Sequence, residues 1–182
     1  QVHLAAMQVL ADRRNSEGDV ADVARWNVDL GRIKRHYPAF STLLVTDADG
    51  VVTTSEPALP DAVRPMSVAD REYFLAPLRS GRGHVSDAFR GRGLGNDALI
   101  AVSVPLLSEG RFAGVLEGSI LVDSLVLRRG GLDEHGFELL LLDRALTVVQ
   151  ASDGMPHLPL DALGASALDR DLARLARTGG GM

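Results

Sequence analysis

The side chains that could bind a small charged molecule are concentrated in the middle of the chain. The guanidinium of Arg71 is a planar fork that matches a carboxylate. The rings of Tyr73 and Phe74 could form the walls of a pocket, and Asp87 could accept a hydrogen bond from an amine. We expect these residues to contact the ligand: Asp70, Arg71, Tyr73, Phe74, Asp87, Phe89, Arg90 and Ser103. Their chemistry is that of a binding site and not of a catalytic centre.

Ordinary structural roles would also explain these residues. Asp70 could cap a helix or pair with a neighbour, and Arg71 could make a structural ion pair. Tyr73 and Phe74 could simply belong to the core. The sequence leaves both interpretations open, and they differ in whether the surrounding elements enclose a cavity.

The elements that must position these side chains are a helix and a hairpin. Tyr73 and Phe74 belong to an apolar pattern that predicts a helix ended by Gly81. Two apolar runs follow, at residues 99–107 and 112–122, and the four residues between them have the composition of a hairpin turn. Such a hairpin would bury one face of a sheet and leave the other face for a ligand.

The N-terminal segment predicts two helices. Residues 2–14 carry apolar side chains at three-residue steps, and residues 15–18 interrupt the pattern. Asp19 is the expected N-cap of the second helix, which Pro38 ends. The apolar stripe of the second helix is Val20, Val23, Trp26, Leu30 and Ile33. We expect its tryptophan to be a core anchor and not a ligand wall.

Two loops resemble ligand-binding motifs without meeting their requirements. Residues 40–46 and 51–55 predict strands joined by a turn with Gly50 at a positive φ. The two aspartates of that turn lack the further ligands and the late glutamate of a calcium loop. The glycine-rich residues 91–95 precede a strand, whereas a nucleotide-binding glycine loop must follow one. We therefore expect residues 91–95 to form a mobile loop over the pocket.

Three motifs in this order resemble the double-Cache family of bacterial extracytoplasmic sensor domains. They are DREYF at residues 70–74, VSDAFRGRG at 85–93 and AVSVPLLSEGRFAGVLEGSI at 101–120. The resemblance covers roughly residues 38–122 well and the remainder loosely. It implies a PAS-like α+β fold in which an antiparallel sheet of about five strands is flanked by helices, with a long N-terminal helical segment.

The resemblance also implies roles for individual residues. In the amino-acid-binding members of the family, an arginine followed by two aromatic residues on the pocket helix holds the ligand carboxylate. Arg71, Tyr73 and Phe74 match those positions, and Asp87 resembles the aspartate that binds the amine. Other members bind organic acids or other small metabolites, and some have no known ligand.

The C-terminal third resembles a second copy of the first hairpin. Residues 43–55 and 139–152 share paired leucines, an aspartate, a short turn, paired valines and a serine at similar spacing. No equivalent of the hairpin at 99–122 follows the second copy. We predict a helical segment at 1–37, a PAS-like module at 38–130 and a partial second module at 131–182. The second module is either truncated or reduced.

Composition and spacing argue against several functional classes. A net charge of −5 disfavours a nucleic-acid surface, and the absence of cysteine excludes disulfides and thiol catalysis. The five histidines have no zinc-ligand spacing, and no Gly-x-Ser-x-Gly motif is present. There is no apolar run of about 18 residues that could span a bilayer. We expect neither an enzyme nor a metal or cofactor site.

The resulting hypothesis is a sensor domain of a bacterial transmembrane receptor. It would lie outside the cytoplasmic membrane in a histidine kinase, a diguanylate cyclase or a chemoreceptor, and bind a small anionic or zwitterionic metabolite. A start at Gln1 and an end at Met182 suggest a piece of a longer, membrane-tethered protein. We also expect a homodimer formed through the N-terminal helices. The alternative is a ligand-free module that dimerises or binds a partner protein.

Overall fold

The computed structural model describes residues 2–125, 138–152, 154–163 and 167–179. The helices are α1 (Val2–Glu17), α2 (Val23–His36), α3 (Glu72–Ser80) and α4 (Ala167–Gly179). The strands of the main sheet are β1 (Phe40–Thr46), β2 (Val52–Glu56), β3 (His84–Val85), β4 (Phe89–Arg90), β5 (Ala98–Ser108) and β6 (Arg111–Leu121). The strands β7 (Leu140–Leu142) and β8 (Val148–Ala151) form a separate pair.

The main sheet is antiparallel, with the order β2-β1-β6-β5-β3 and with β4 also paired to β5. Its centre is the predicted hairpin, in which Glu109 and Gly110 have φ values of 52° and 76°. A two-residue turn with positive φ at both positions matches the twist of the flanking strands. The α+β fold with an antiparallel sheet, predicted from the sequence, is confirmed.

Helices α1 and α2 cover one face of this sheet. Met7, Trp26, Leu30 and Phe40 are fully buried between the helices and the strands. The indole Nε1 of Trp26 donates a hydrogen bond of 2.8 Å to the carbonyl of Val20. Trp26 is therefore the core anchor that the sequence predicts, with its polar atom satisfied.

The junction between α1 and α2 differs from the prediction. Helix α1 continues to Glu17 through the expected interruption, and α2 is capped by Asp22, whose side chain accepts from the Arg25 amide at 3.1 Å. Asp19 instead accepts from the buried guanidinium of Arg14 at 2.5 Å. A buried cation requires carboxylate partners, and this requirement places Asp19 in an ion pair and not at the cap.

Helix α3 and the segment before it cover the opposite face of the sheet. Val68, Phe74, Ala101 and Val115 form a second buried cluster there. Gly81 ends α3 in the left-handed conformation with φ 63°, as the sequence predicts. This face is covered only in part, and the remaining space is the site described below.

The C-terminal part contains the predicted second hairpin and α4. Strands β7 and β8 pair around the turn at Arg144 and Ala145. A 3-10 turn at Val122–Ser124 follows β6. No helix in the described ranges is both long and apolar enough to cross a bilayer.

Candidate functional site

A cavity of about 180 Å³ lies between the sheet and the start of α3. Strands β1 and β6 form its floor, α3 contributes one wall, and the loop at residues 91–97, which we call the rim loop, contributes another. The side chains used in the argument below are Arg71, Tyr73, Phe89, Arg92, Glu117 and Ser119. The predicted arrangement, in which a helix and a sheet enclose a cavity beside Arg71, is therefore present.

Arg71 is the N-cap of α3 and is partly buried beside the cavity. Its guanidinium carbon lies 5.5 Å from the centre of the Phe89 ring. Its Nη2 is 3.5 Å from the carbonyl oxygen of Arg90, which is a weak hydrogen bond. No carboxylate among the described residues lies within 4.0 Å of its guanidinium. The donors of Arg71 are thus largely unused by the described residues.

The aromatic wall of the cavity consists of Tyr73 and Phe89. Their ring centroids are 5.5 Å apart, and Tyr73 is buried. Burial, and secondarily the nearby carboxyl of Glu117, raises the pKa of Tyr73 above its ordinary value, so the phenol is neutral. Within the part of the chain that the structure describes, the Tyr73 hydroxyl makes no hydrogen bond. It remains a donor for a ligand.

The floor of the cavity contains a fully buried acid, Glu117 of β6. Its Oε1 accepts a hydrogen bond of 2.5 Å from the Ser119 hydroxyl, whereas its buried Oε2 has no partner among the described residues. Burial raises the pKa of Glu117 to about 8, and the Ser119 hydrogen bond opposes that rise only in part. The carboxyl is therefore mainly protonated at neutral pH.

The rim of the cavity is fixed by an ion pair between Asp70 and Arg92. The two nitrogens Nη1 and Nη2 of Arg92 donate to the two carboxylate oxygens at 3.1 and 2.7 Å. Nη2 also donates to the carbonyl of Ser67 at 3.0 Å. This pairing with Arg92 holds the pKa of Asp70 below its ordinary value. Asp70 thus anchors the rim loop and is not part of the cavity lining.

The predicted residues fall into two groups. Arg71, Tyr73 and Phe89 line the cavity, and Asp70 lies at its rim. The remaining predictions lie elsewhere: Phe74, Asp87, Arg90 and Ser103 are absent from the lining.

Specific contacts account for the residues outside the lining. Phe74 packs edge-on against Phe112 with centroids 5.6 Å apart, and Asp87 accepts from Nε of Arg144 at 3.1 Å. Arg90 is exposed and donates to the carbonyl of Asn96 at 2.9 Å.

Ser103 is buried directly across from Glu117 in the register of β5 and β6. Its hydroxyl has no partner in the described portion of the chain. Ser103 is among the residues predicted from the sequence to contact the ligand, whereas Glu117 is not. The available signal was a lone acid in an apolar strand, two residues from Val115 and from Ser119, which places it on the face opposite Leu116.

The fold resembles those of several solved ligand-binding and extracellular domains. The ligand-binding domain of the Pseudomonas aeruginosa amino-acid chemoreceptor PctC, in complex with GABA, matches 89% of this chain and 73% of its own, with 22% identity and a TM-score of 0.62. The corresponding domain of PctB from the same organism, in complex with L-Gln, matches at 16% identity with a TM-score of 0.65.

The extracellular domain of mmHK1S-Z2, a protein described as a histidine kinase, matches 98% of this chain and 76% of its own, with 12% identity and a TM-score of 0.69. The chain has the fold of an extracellular ligand-binding domain. The architecture implied by the resemblance to double-Cache domains is thereby confirmed. The match to PctB covers 83% of this chain but only 60% of that domain. No family model and no curated protein sequence matches the chain.

Proposed function

We propose that this chain is the ligand-sensing, extracytoplasmic part of a bacterial transmembrane receptor and that its cavity binds a small anionic or zwitterionic metabolite. The observation that carries the proposal is the guanidinium of Arg71, which borders the cavity without a carboxylate partner among the described residues. A ligand carboxylate would supply that partner.

The electrostatic argument rests on the contrast between Arg71 and Arg92. Arg92 lines the same cavity, but both ends of its guanidinium fork are occupied by Asp70. Arg71 is partly desolvated, and its compensating interactions are a weak hydrogen bond to a carbonyl, the face of Phe89 and a longer-range attraction to Asp70, which is itself paired with Arg92. A bidentate carboxylate is the group that fits its free donors best.

The size of the cavity favours a small ligand. Its volume of about 180 Å³ is below the range of roughly 300 to 1,000 Å³ typical of sites for drug-sized molecules. GABA and L-Gln, the ligands in the PctC and PctB structures, are both small molecules with a carboxylate and an amine. They are the first probes that we would test.

The signal would pass from the cavity to the N-terminal helices through the sheet. In β6 the side chain of Glu117 faces the cavity, whereas Leu116 and Ile120 face the core shared with α1 and α2. A ligand that binds one arrangement of sheet and helices more tightly than another would shift the population toward it.

A second candidate function is self-association through the N-terminal helices, with or without a ligand. Helix α1 exposes Val2 and Val9 by 68% and 71%, and α2 exposes Val28 by 53%. Exposed valines on two neighbouring helices favour a homodimer face. This function is compatible with ligand binding and would place the dimer on the side of the sheet opposite the cavity.

The test is calorimetry and thermal shift of the purified domain against small carboxylates and amino acids. Arg71→Ala should weaken the binding of every active ligand by tenfold or more, because truncating one partner of a desolvated charge pair costs about 2 kcal/mol or more. The matched control is Arg79→Ala, which removes an exposed arginine from the last turn of the same helix. Equal affinity of the wild type and Arg71→Ala would contradict the proposal.

A further inference from the structure

We infer that Glu117 determines specificity by selecting ligands with a protonated nitrogen, and that its carboxyl releases a proton when such a ligand binds. This inference deepens the proposed function and rests on it. Glu117 is a different residue from Arg71 and makes no contact with it. Recognition of a ligand carboxylate by Arg71 alone would not release a proton.

Glu117 lines the cavity, and one oxygen of its buried carboxyl has no hydrogen-bond partner among the described residues. Glu117 has no exposed surface, and the oxygen without a partner is Oε2. Its neighbours in the sheet register are Ser103 of β5 and Leu44 of β1, neither of which carries a positive charge. A buried oxygen without a hydrogen-bond partner destabilises the free protein, and a donor group of the ligand would remove that cost by bonding to it.

The other charged and titratable groups that line the cavity do not neutralise Glu117. They are Arg71 and Tyr73 of α3, and Arg92 and Asp97 of the rim loop. None of the cationic side chains in the described ranges lies within 4.0 Å of the Glu117 carboxyl. Arg92 is committed to Asp70, and Tyr73 is a neutral phenol. The cation that would stabilise a Glu117 carboxylate must therefore come with the ligand.

The proton balance of binding follows from these facts. Without a ligand the group is a carboxylic acid up to about pH 8, because burial raises its pKa. When an ammonium group occupies the cavity, the ion pair favours the carboxylate, and the O–H proton leaves to solvent. No covalent bond of the ligand changes. At pH 7 binding would release close to one proton.

The affinity for an amine-bearing ligand should therefore depend on pH. It should rise by close to tenfold per unit between pH 6 and 7 and flatten near pH 8, where Glu117 is ionised before binding. A ligand with a carboxylate but no amine should show no such rise. It would bind beside a protonated Glu117 and compete with water for its hydrogen bond.

The experiment compares ligands that differ only in the amine: GABA with butanoate, and L-leucine with 4-methylpentanoate. Calorimetry at pH 7 in two buffers of different ionisation enthalpy counts the protons released. We expect the amine-bearing member of an active pair to bind at least tenfold more tightly and to release about one proton. Glu117→Gln should abolish both the preference and the proton release, while Arg71→Ala weakens both members of the pair.

Two results would overturn the inference. Equal binding of both members of a pair, dependent on Arg71, would refute the role of Glu117 and leave the proposed function intact. Failure of every member of both pairs to bind the folded wild type would refute the inference together with the carboxylate site. Because proton release is measured on the wild type, the test does not depend on whether Glu117→Gln folds.

Discussion

The hydroxyl of Ser119 donates to Oε1 of Glu117 at 2.5 Å, two residues along the same strand, and this is the one hydrogen bond of that carboxyl within the described residues. The pair lies on the cavity face of β6, whereas Leu116 between Val115 and Glu117 packs against the helices. One strand therefore carries both the floor of the site and part of the core.

Glu117 should make the free domain less stable as the pH rises. Its pKa in the folded state is about 8, against an ordinary value of 4.5, so the folded state binds more protons between these pH values. The free energy of unfolding should then fall between about pH 4.5 and 8, by at most about 1.4 kcal/mol per unit. Urea unfolding of the wild type and Glu117→Gln at pH 5.5 and 8.5 measures this effect.

The variant should gain stability relative to the wild type at the higher pH. Glu109→Gln serves as the control, because Glu109 is exposed in the β5–β6 turn. A difference between the wild type and Glu117→Gln that is the same at both pH values would contradict the assignment of a buried, unneutralised carboxyl.

The ion pair of Asp70 and Arg92 should govern the opening of the rim loop. Asp70→Asn removes the carboxylate that holds Arg92, so amide hydrogen exchange in residues 91–97 should become faster. Global stability should change by less than about 1 kcal/mol because the pair is exposed. Asp61→Asn is the control, since it makes the same change at a fully exposed carboxylate that pairs with Arg64 and does not contact the rim loop. Unchanged exchange in residues 91–97 would mean that the pair does not hold the loop.

Removing the buried guanidinium of Arg14 should lower the free energy of unfolding far more than removing that of Arg13 on the same helix. Arg14 is 2% exposed, bonds to Asp29 at 2.6 Å and stacks over Trp26. Arg14→Ala would leave the buried Asp29 with only the half-exposed Arg13 and the exposed Arg32 as partners among the described residues, and should cost about 3 kcal/mol. Arg13→Ala, which removes a half-exposed arginine from the same aspartate, should cost less than about 1 kcal/mol. Equal losses in thermal or urea unfolding would contradict this assignment.

Self-association, if it uses the N-terminal helices, should be sensitive to charge on α1. Val9→Lys places a cation at a side chain that is 71% exposed and should raise the dimer dissociation constant by tenfold or more. Leu158→Lys changes a comparably exposed apolar residue, at 70%, in the C-terminal part. Sedimentation equilibrium of both variants tests the surface. A larger effect of Leu158→Lys would place the interface elsewhere.

The sequence was sufficient where local patterns determine structure. The period of the apolar residues predicts the alternation of β5 and β6. Backbone sterics explain the glycine that ends α3 and Gly50 in the first hairpin turn, which has a φ of 78°. The N-cap of α2 did not follow, because Asp19 and Asp22 are equally good caps. The ion pair that Asp19 forms with the buried Arg14 decides between them.

Of the residues predicted to contact the ligand, Arg71, Tyr73 and Phe89 line the cavity, whereas Phe74, on the same helix as Tyr73, packs against Phe112. The apolar period of the helix shows which side faces the sheet but not which part of that side borders the cavity. Asp87 lies between β3 and β4, where no period fixes the direction of a side chain, and it turns toward Arg144 of the second hairpin. To predict that Glu117 lines the cavity, one must know which face of the sheet is only partly covered. That depends on how α3 packs against the sheet.

The most direct test of the central claim is the crystal structure of the domain with the tightest-binding amino acid or carboxylate found by calorimetry. We expect the ligand in the cavity between α3 and β6, with its carboxylate oxygens about 2.7 to 2.9 Å from the guanidinium nitrogens of Arg71. A ligand bound away from Arg71, or an unoccupied cavity at saturating concentration, would contradict the account.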